Sequence, residues 1–229
     1  MVRVSTIVEV IPELVPVDHK MVLDAGCGVG TILEALKSRG ADIWGIEPGA
    51  DNIAIARQRN PDISEQFQVA GAEDLPFDAN SFDVVVFSNS LHHVPIKHQA
   101  AALSESARVL KPGGYAVVAE PVPEGPHFNL SLPMEDETDV RNHALAAILD
   151  TDAHGMNIEK ETSFIRATGY GSYQDYKKAM IQVDPGRAQA FEERGDQLQE
   201  NFATCGRQEG NMMIFDQEIR VHLLRKPEE

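Results

Sequence analysis

Short apolar runs, each closed by an acidic or small polar residue, recur through the first half of the chain. Met21-Val22-Leu23 ends on Asp24, Ile43-Trp44-Gly45-Ile46 on Glu47, Val84-Val85-Val86-Phe87 on Ser88, and Tyr115 to Ala119 on Glu120. Gln66 to Ala70 is a further run of this length. Between the runs the apolar period changes. Ile32, Leu33, Ala35 and Leu36 follow helical spacing, as do residues 52–59 and 97–109, where Leu103 and Ala107 stand four apart. A continuous apolar run bounded by turn residues reads as a strand buried on both faces, and the intervening period as a helix. The alternation predicts a parallel sheet with helices on both faces. Gly40, just after Arg39, stops the first helix of the series. Residues 1–19, with Val8, Ile11, Leu14 and Val15 interrupted by Pro12 and Pro16, predict a short lead-in helix.

After Glu120 the rhythm breaks. Pro121, Pro123, Pro126 and Pro133 make an irregular start, and an acidic patch follows at Glu135, Asp136, Glu137 and Asp139. Helical patterns are expected over residues 140–149 and 157–168, a sixth strand within 170–183, a helix over 185–205 and a seventh strand over 212–224. An insertion at a strand end often covers a ligand. The expected architecture is therefore α/β: a Rossmann-like, seven-stranded, mostly parallel sheet with helices on both faces and an inserted helical lid after strand five. The chain is expected to form one domain over 1–229. Its core is 20–120, its lid or substrate insertion 121–169, and its C-terminal strands and extra helix 170–229.

The polar ends of the strands carry the chemistry. Met21 to Thr31 reads as a buried strand, a glycine turn at Gly26, Gly28 and Gly30, and a helix start. Glycines let the backbone bend at positive φ and approach a ligand, and the helix start offers N–H groups. A dinucleotide fingerprint has the spacing G-x-G-x-x-G. Here the spacing differs, and Asp24 precedes the first glycine. That carboxylate opposes a pyrophosphate and favours a cation, and S-adenosylmethionine (SAM) carries an ammonium and a sulfonium. The local charge thus prefers SAM to NAD. Glu47 ends strand two about twenty residues after the glycine turn, where doubly wound folds place an acid for ribose hydroxyls.

Composition narrows the partners. The 229 residues are 42% hydrophobic and 24% charged, with a net charge of −16. No long basic run offers a footprint for nucleic acid, and none is expected as a partner. No apolar run approaches the length of a membrane helix, and no signal peptide is expected. The chain's two cysteines, Cys27 and Cys205, form no C-x-x-C pair. This fits a reducing, cytoplasmic location. Cys27 reads as a small packing residue.

The motifs together resemble class I SAM-dependent methyltransferases, within them the small-molecule group that includes the quinone-biosynthesis C-methyltransferases. The residues that carry the resemblance are Val22 to Gly30, Gly45-Ile46-Glu47-Pro48, Ala72 to Phe77, Ser81 to Val85, Leu91-His92-His93-Val94 and Leu110 to Gly114, in the family's order and spacing. The resemblance covers residues 20–120 and fades beyond 125. It implies that Asp24, Gly26, Cys27, Gly28 and Gly30 hold the methionine part of SAM. It implies that Glu47 and Pro48 meet the ribose, that Gly71, Ala72 and Glu73 border the adenine, and that Ser88 lies beside the methionine portion. Gly71 departs from the family's Asp or Asn before the Ala-Glu pair, which leaves either Asp74 in compensation or a weaker adenine contact.

Methyl transfer to a small-molecule acceptor, with S-adenosylhomocysteine (SAH) as product, is the expected activity. A base is needed only where the acceptor must lose a proton. His92, His93, Glu120, His127 and His143 are the residues that could serve as base, with His92, His93 and Glu120 preferred, and Asn89, His93, His127 and Phe128 are the acceptor-binding candidates. His127, His143 and His154 lack zinc spacing, so no metal is expected. A homodimer is compatible with this reading. Two alternatives stay open: a protein that binds SAM or SAH without transferase activity of its own, and a nicotinamide-dependent oxidoreductase.

Overall fold

Four apolar runs become adjacent parallel strands. In the computed structural model, which describes residues 3–228, β1 (Met21–Ala25) lies between β2 (Asp42–Glu47) and β4 (Phe82–Ser88). Strand β3 (Phe67–Val69) pairs with β2, and β5 (Leu110–Pro121) with β4, all in parallel. The eight-stranded sheet runs β3-β2-β1-β4-β5-β8-β6, where β6 is Asn157–Tyr170 and β8 Met212–Arg225. β7 (Arg207–Glu209) pairs antiparallel with β8 off this path. The strand order reverses between β1 and β4. That crevice is where open α/β sheets take ligands.

The helices in the first half fall where the apolar period placed them. They are α1 (Ile7–Leu14), α2 (Thr31–Lys37), α3 (Ala50–Arg59) and α4 (Ile96–Val109). Beyond β5 come α5 (Pro126–Ser131), α6 (Thr138–Leu149), α7 (Thr151–His154), α8 (Tyr173–Val183), α9 (Arg187–Glu193) and α10 (Gly195–Cys205).

Two expectations are corrected here. Residues 157–168, expected as helix, lie in strand β6. Its first five residues are exposed, and they include Glu159, Lys160 and Glu161. Charge on an outermost strand protects its open edge, and the same residues are good helix formers. The run of helices after β5 therefore ends at α7. Residues 173–183, expected within a sixth strand, form α8. Ser172 caps it by accepting from the N–H of Asp175 at 3.1 Å. The single helix expected over 185–205 is two, α9 and α10.

The chain divides into two compact units. One holds Thr6–Glu120, Val140–Thr162 and the chain from Arg220. Its core is built on the central strands: Val84, Val85, Val86 and Phe87 of β4 are each at most 2% exposed. The other holds Pro121–Asp139, Ser163–Ile219 and the chain before Thr6. Its core is largely aromatic, with Tyr176, Phe191, Phe202 and Phe215 around Leu130 and Leu198. Among the described residues no helix is long and apolar enough to cross a membrane.

Candidate functional site

The C-terminal ends of β1, β2 and β4 open into a cavity of about 510 Å³. Its floor is Ala25, Gly26 and Gly28 of the glycine turn, with Ile46, Glu47 and Pro48 from the end of β2. Gly71, Ala72 and Glu73 close it after β3. Asn89, Ser90, His93, Val94 and Pro95 form the wall after β4, and Asn52 of α3 completes it.

The glycine turn is shaped by positive φ at Gly26 (93°) and Gly28 (53°). The N–H groups of Gly26 and Cys27 both donate to Ile46 O at 2.9 Å, which pins the turn to β2. A Cβ built on Gly28 meets nothing within 4 Å, so this face of the turn is open to a ligand. Gly30 serves differently. It is the N-cap of α2 at φ 83°, and its missing Cβ leaves room for the Phe67 ring. Cys27 is buried, and a Cβ on Gly45 would come within 2.8 Å of its Sγ. Burial, with the negative charges of Asp24 and Glu47, pushes the Cys27 thiol up. It packs; it is no nucleophile.

Three carboxylates give the cavity its sign: Glu47 and Glu73 line it, and Asp24 lies buried beneath. Asp24 sits in the middle strand, beside Gly45 of β2 and Val86 of β4. It is 1% exposed, and neither of its oxygens has a hydrogen-bond partner among the described residues. Burial, with Glu47 adding to it, pushes its carboxyl up to about 7 from 3.8. An orphaned acid of this kind is costly and calls for a cation or donor from a ligand. Glu47 is held in place. One oxygen accepts from the N–H of Gly28 at 3.3 Å, and the other from the N–H of Gly49 at 3.1 Å and from Asn52 Nδ2 at 3.3 Å.

The far wall is anchored from α4. Glu105 accepts from the N–H of Leu75 at 2.9 Å, and Arg108 donates to the carbonyls of Phe77 and Leu75 at 2.8 and 3.0 Å. The segment Gly71–Glu73 just ahead is thereby tied to a helix. A Cβ on Gly71 would stand 2.6 Å from the Glu73 carboxylate, so Glu73 fills the space beside Gly71.

The structure gathers Gly26, Gly28, Glu47, Pro48, Gly71, Ala72, Glu73, Asn89 and His93 around one cavity. Asp24 and Cys27 lie buried beneath it, while Gly30 and Ser88 lie outside the lining. Of the base candidates only His93 lines the cavity. His92 and Glu120 are buried and paired with each other, Nδ1 to Oε2. His127 and Phe128 belong to α5 in the other unit. Ser90, Asn52, Val94 and Pro95 were not among the residues the sequence singled out. Asn52 was the one within reach of inference, standing one helical turn past Glu47 at the start of a helix.

The strand order and its reversal at the cavity define a Rossmann-like α/β architecture. Residues 23–118 match the family described as "Methyltransferase domain". The demethylmenaquinone methyltransferase of Renibacterium salmoninarum is 38% identical over 104 residues, 45% of this chain and 42% of that protein. The ubiquinone biosynthesis O-methyltransferase of Psychrobacter arcticus is 38% identical over 105 residues, 44% and 40% of the two chains. The chain thus spans less than half the length of the curated relatives it matches.

Solved structures share the fold over nearly the whole chain. The YcgJ protein of a Bacillus matches with TM-score 0.66 and 19% identity, covering 97% of this chain and 98% of that one. The [4+2]-cyclase SpnF matches with TM-score 0.64 and 21% identity over 96% and 80%. A geranyl diphosphate methyltransferase matches with TM-score 0.56 and 16% identity over 94% and 77%. At these identities the likeness is one of fold.

Proposed function

We propose that the protein transfers a methyl group from SAM to a small-molecule acceptor. The observation that carries this reading is Asp24, a buried carboxylate with no partner beneath a glycine turn. Its charge suits a cationic ligand, and Glu47 at the cavity edge offers acceptors to a diol. Among the described residues the lining holds no Arg or Lys, so a pyrophosphate finds no counter-charge there and NAD fits poorly. Gly28 leaves open space where a ligand backbone can approach.

SAM would supply an electrophilic methyl group, passed in line to the acceptor and leaving SAH. The chain's part is to bind, orient and exclude water. Gly26 and Gly28 would cradle the methionine end above Asp24, Glu47 would accept from the ribose hydroxyls, and Ala72 would border the adenine. His93 is the titratable ring on the wall after β4, and it is placed to take a proton where the acceptor must lose one. No metal role is assigned.

The two named relatives match over the cofactor-binding half. One is named for demethylmenaquinone and the other for ubiquinone biosynthesis, which supports a small aromatic or quinone-like acceptor. Free Cys27 and Cys205 suit a reducing compartment, which supports a cytoplasmic enzyme.

A second reading is favoured by one finding. The [4+2]-cyclase with this fold is not named for methyl transfer. A SAM-binding protein that does not transfer the methyl would keep Asp24 and Glu47 and yield no SAH. Calorimetric titration with SAM, SAH and NADH tests the cofactor, and acceptor-dependent release of SAH tests the reaction. Binding of NADH alone would reject the proposal. Binding of SAM with no SAH from any acceptor in a broad phenol and quinol screen would favour the second reading.

A further inference from the structure

Four consecutive residues after β4 are gripped by the last residues of the neighbouring strand. The N–H of Asn89 donates to Ala119 O at 2.8 Å. One oxygen of Glu120 accepts from the N–H of Ser90 at 3.2 Å and of Leu91 at 2.9 Å. Its other oxygen meets Nδ1 of His92. Glu120 and His92 are 7% and 4% exposed, and neither lines the cavity. The carboxylate caps the short 3₁₀ turn Leu91–His93, whose last residue faces the cavity.

The grip reaches the glycine turn. Ser90 Oγ donates to Ala25 O at 2.6 Å, and a Cβ on Gly26 would stand 2.5 Å from Ser90 Cβ. Asn89 holds a left-handed backbone at φ 52°, a conformation that asparagine adopts more readily than other residues with a Cβ, and it turns the chain out of β4. The floor of the cavity at Ala25 and Gly26 and its adjoining wall at Asn89, Ser90 and His93 are therefore joined through Ser90, whose N–H one buried carboxylate holds.

We infer that Glu120 is a positioning residue: it holds the 89–93 wall against the glycine turn and so fixes how wall and floor of the cavity meet. It is not the base for the reaction, since both oxygens face inward to the loop. The inference rests on the reading of this cavity as the SAM site.

The chemistry separates positioning from proton transfer. A glutamine at 120 still presents a carbonyl to the Ser90 and Leu91 N–H groups, and its amide can donate to His92 Nδ1. It cannot act as a base. Alanine leaves two N–H groups without their acceptor in a buried place.

The test compares parent, Glu120→Gln, Glu120→Ala and Ser90→Ala. Three quantities are read: SAH affinity by calorimetry, exchange of the 89–93 amides by NMR, and acceptor-dependent SAH release. Glu120→Ala should bind SAH about tenfold more weakly and expose the Ser90 and Leu91 amides to exchange. Glu120→Gln should recover both, and with them transfer. Ser90→Ala should weaken SAH binding while leaving Leu91 protected, and it carries the test if Glu120→Ala does not fold.

A folded Glu120→Ala with parental SAH affinity overturns the inference. So does a Ser90→Ala protein with parental affinity, or a Glu120→Gln protein that binds SAH as the parent does but has lost transfer, which would make Glu120 the base. A parent that binds neither SAM nor SAH instead removes the reading of the cavity. The amide exchange of 89–93 in unliganded protein then still decides whether Glu120 holds the wall.

Discussion

The Cβ that Gly26 lacks would stand 2.5 Å from the Cβ of Ser90. The glycine turn and the loop after β4 therefore touch at a point where one methyl group does not fit. Gly26 also sits at φ 93°, outside the range that residues with a Cβ adopt. Gly26→Ala is expected to carry both penalties, backbone strain of about 1–2 kcal/mol and a displaced loop of about 1–3 kcal/mol. Chemical denaturation should show a loss of about 2–5 kcal/mol, and SAH binding should fall with it. Gly28 is the control. A Cβ there meets nothing, so Gly28→Ala bears only the backbone term in stability. Equal stability of the two variants would show that the Ser90 contact is relieved without cost.

Glu47 is braced by two backbone N–H groups and Asn52, so its carboxylate is aimed before any ligand arrives. Glu47→Ala is expected to lower SAM affinity by roughly 1–3 kcal/mol, about fivefold to 150-fold, through loss of charged hydrogen bonds to the ribose. Calorimetry checks it. Asn52→Ala should cost less, since it removes only the brace. An unchanged SAM affinity in a folded Glu47→Ala protein would take Glu47 out of the site.

The alternating strand and helix half of the molecule was readable because its signals are local. Asp24, Gly26 and Gly28 lie within five residues, and Glu47 ends a strand whose apolar run is unmistakable. The pairing of Glu120 with the loop after β4 was hidden. Twenty-eight residues separate His92 from Glu120, and only the register of β4 against β5 brings them together. Strand β6 was misread because charged edge residues mimic a helix surface. The start of α8 did carry a signal: Ser172 followed by Asp175 is an N-terminal capping pattern, and Tyr173, Tyr176 and Met180 repeat at helical spacing. The aromatic core those residues build could not be foreseen, since it draws on segments from Leu130 to Phe215.

Tyr176 is fully buried in that core, with its ring 5.2 Å from Tyr170 and 5.7 Å from Phe191, edge to face. Its hydroxyl has no hydrogen-bond partner among the described residues, and burial pushes the phenol up. The ring stabilises and the orphan hydroxyl destabilises. Tyr176→Phe is expected to raise stability by about 1 kcal/mol, a gain of about 2–4 °C in melting temperature. A loss of stability would mean that a buried water satisfies the hydroxyl.

Asp24 and His222 should make stability depend on pH in opposite directions. Folding pushes the Asp24 carboxyl up to about 7 from 3.8, so between these values the folded state binds more protons and stability falls as pH rises. The shift corresponds to about 4 kcal/mol lost above pH 7. His222 of β8 is 1% exposed, and burial, with Arg220 adding to it, holds its ring below the ordinary 6.5. The opposing charge is Glu161 of β6, 3.4 Å from Nε2 without the alignment of a hydrogen bond. The unfolded chain then binds more protons at His222, and stability falls as pH drops below 6.5. In the unliganded parent the two effects oppose each other below pH 6.5. Asp24→Asn should be more stable than the parent at pH 8 by about 1–3 kcal/mol, less than the full shift because an amide is also costly to bury. Its advantage should shrink toward pH 5 while its SAM affinity falls at every pH. His222→Leu should keep the Asp24 dependence alone and grow more stable as pH falls from 7 to 5. Parallel curves for parent and Asp24→Asn across pH 5–8 would show that Asp24 titrates at its ordinary value and that its burial is compensated.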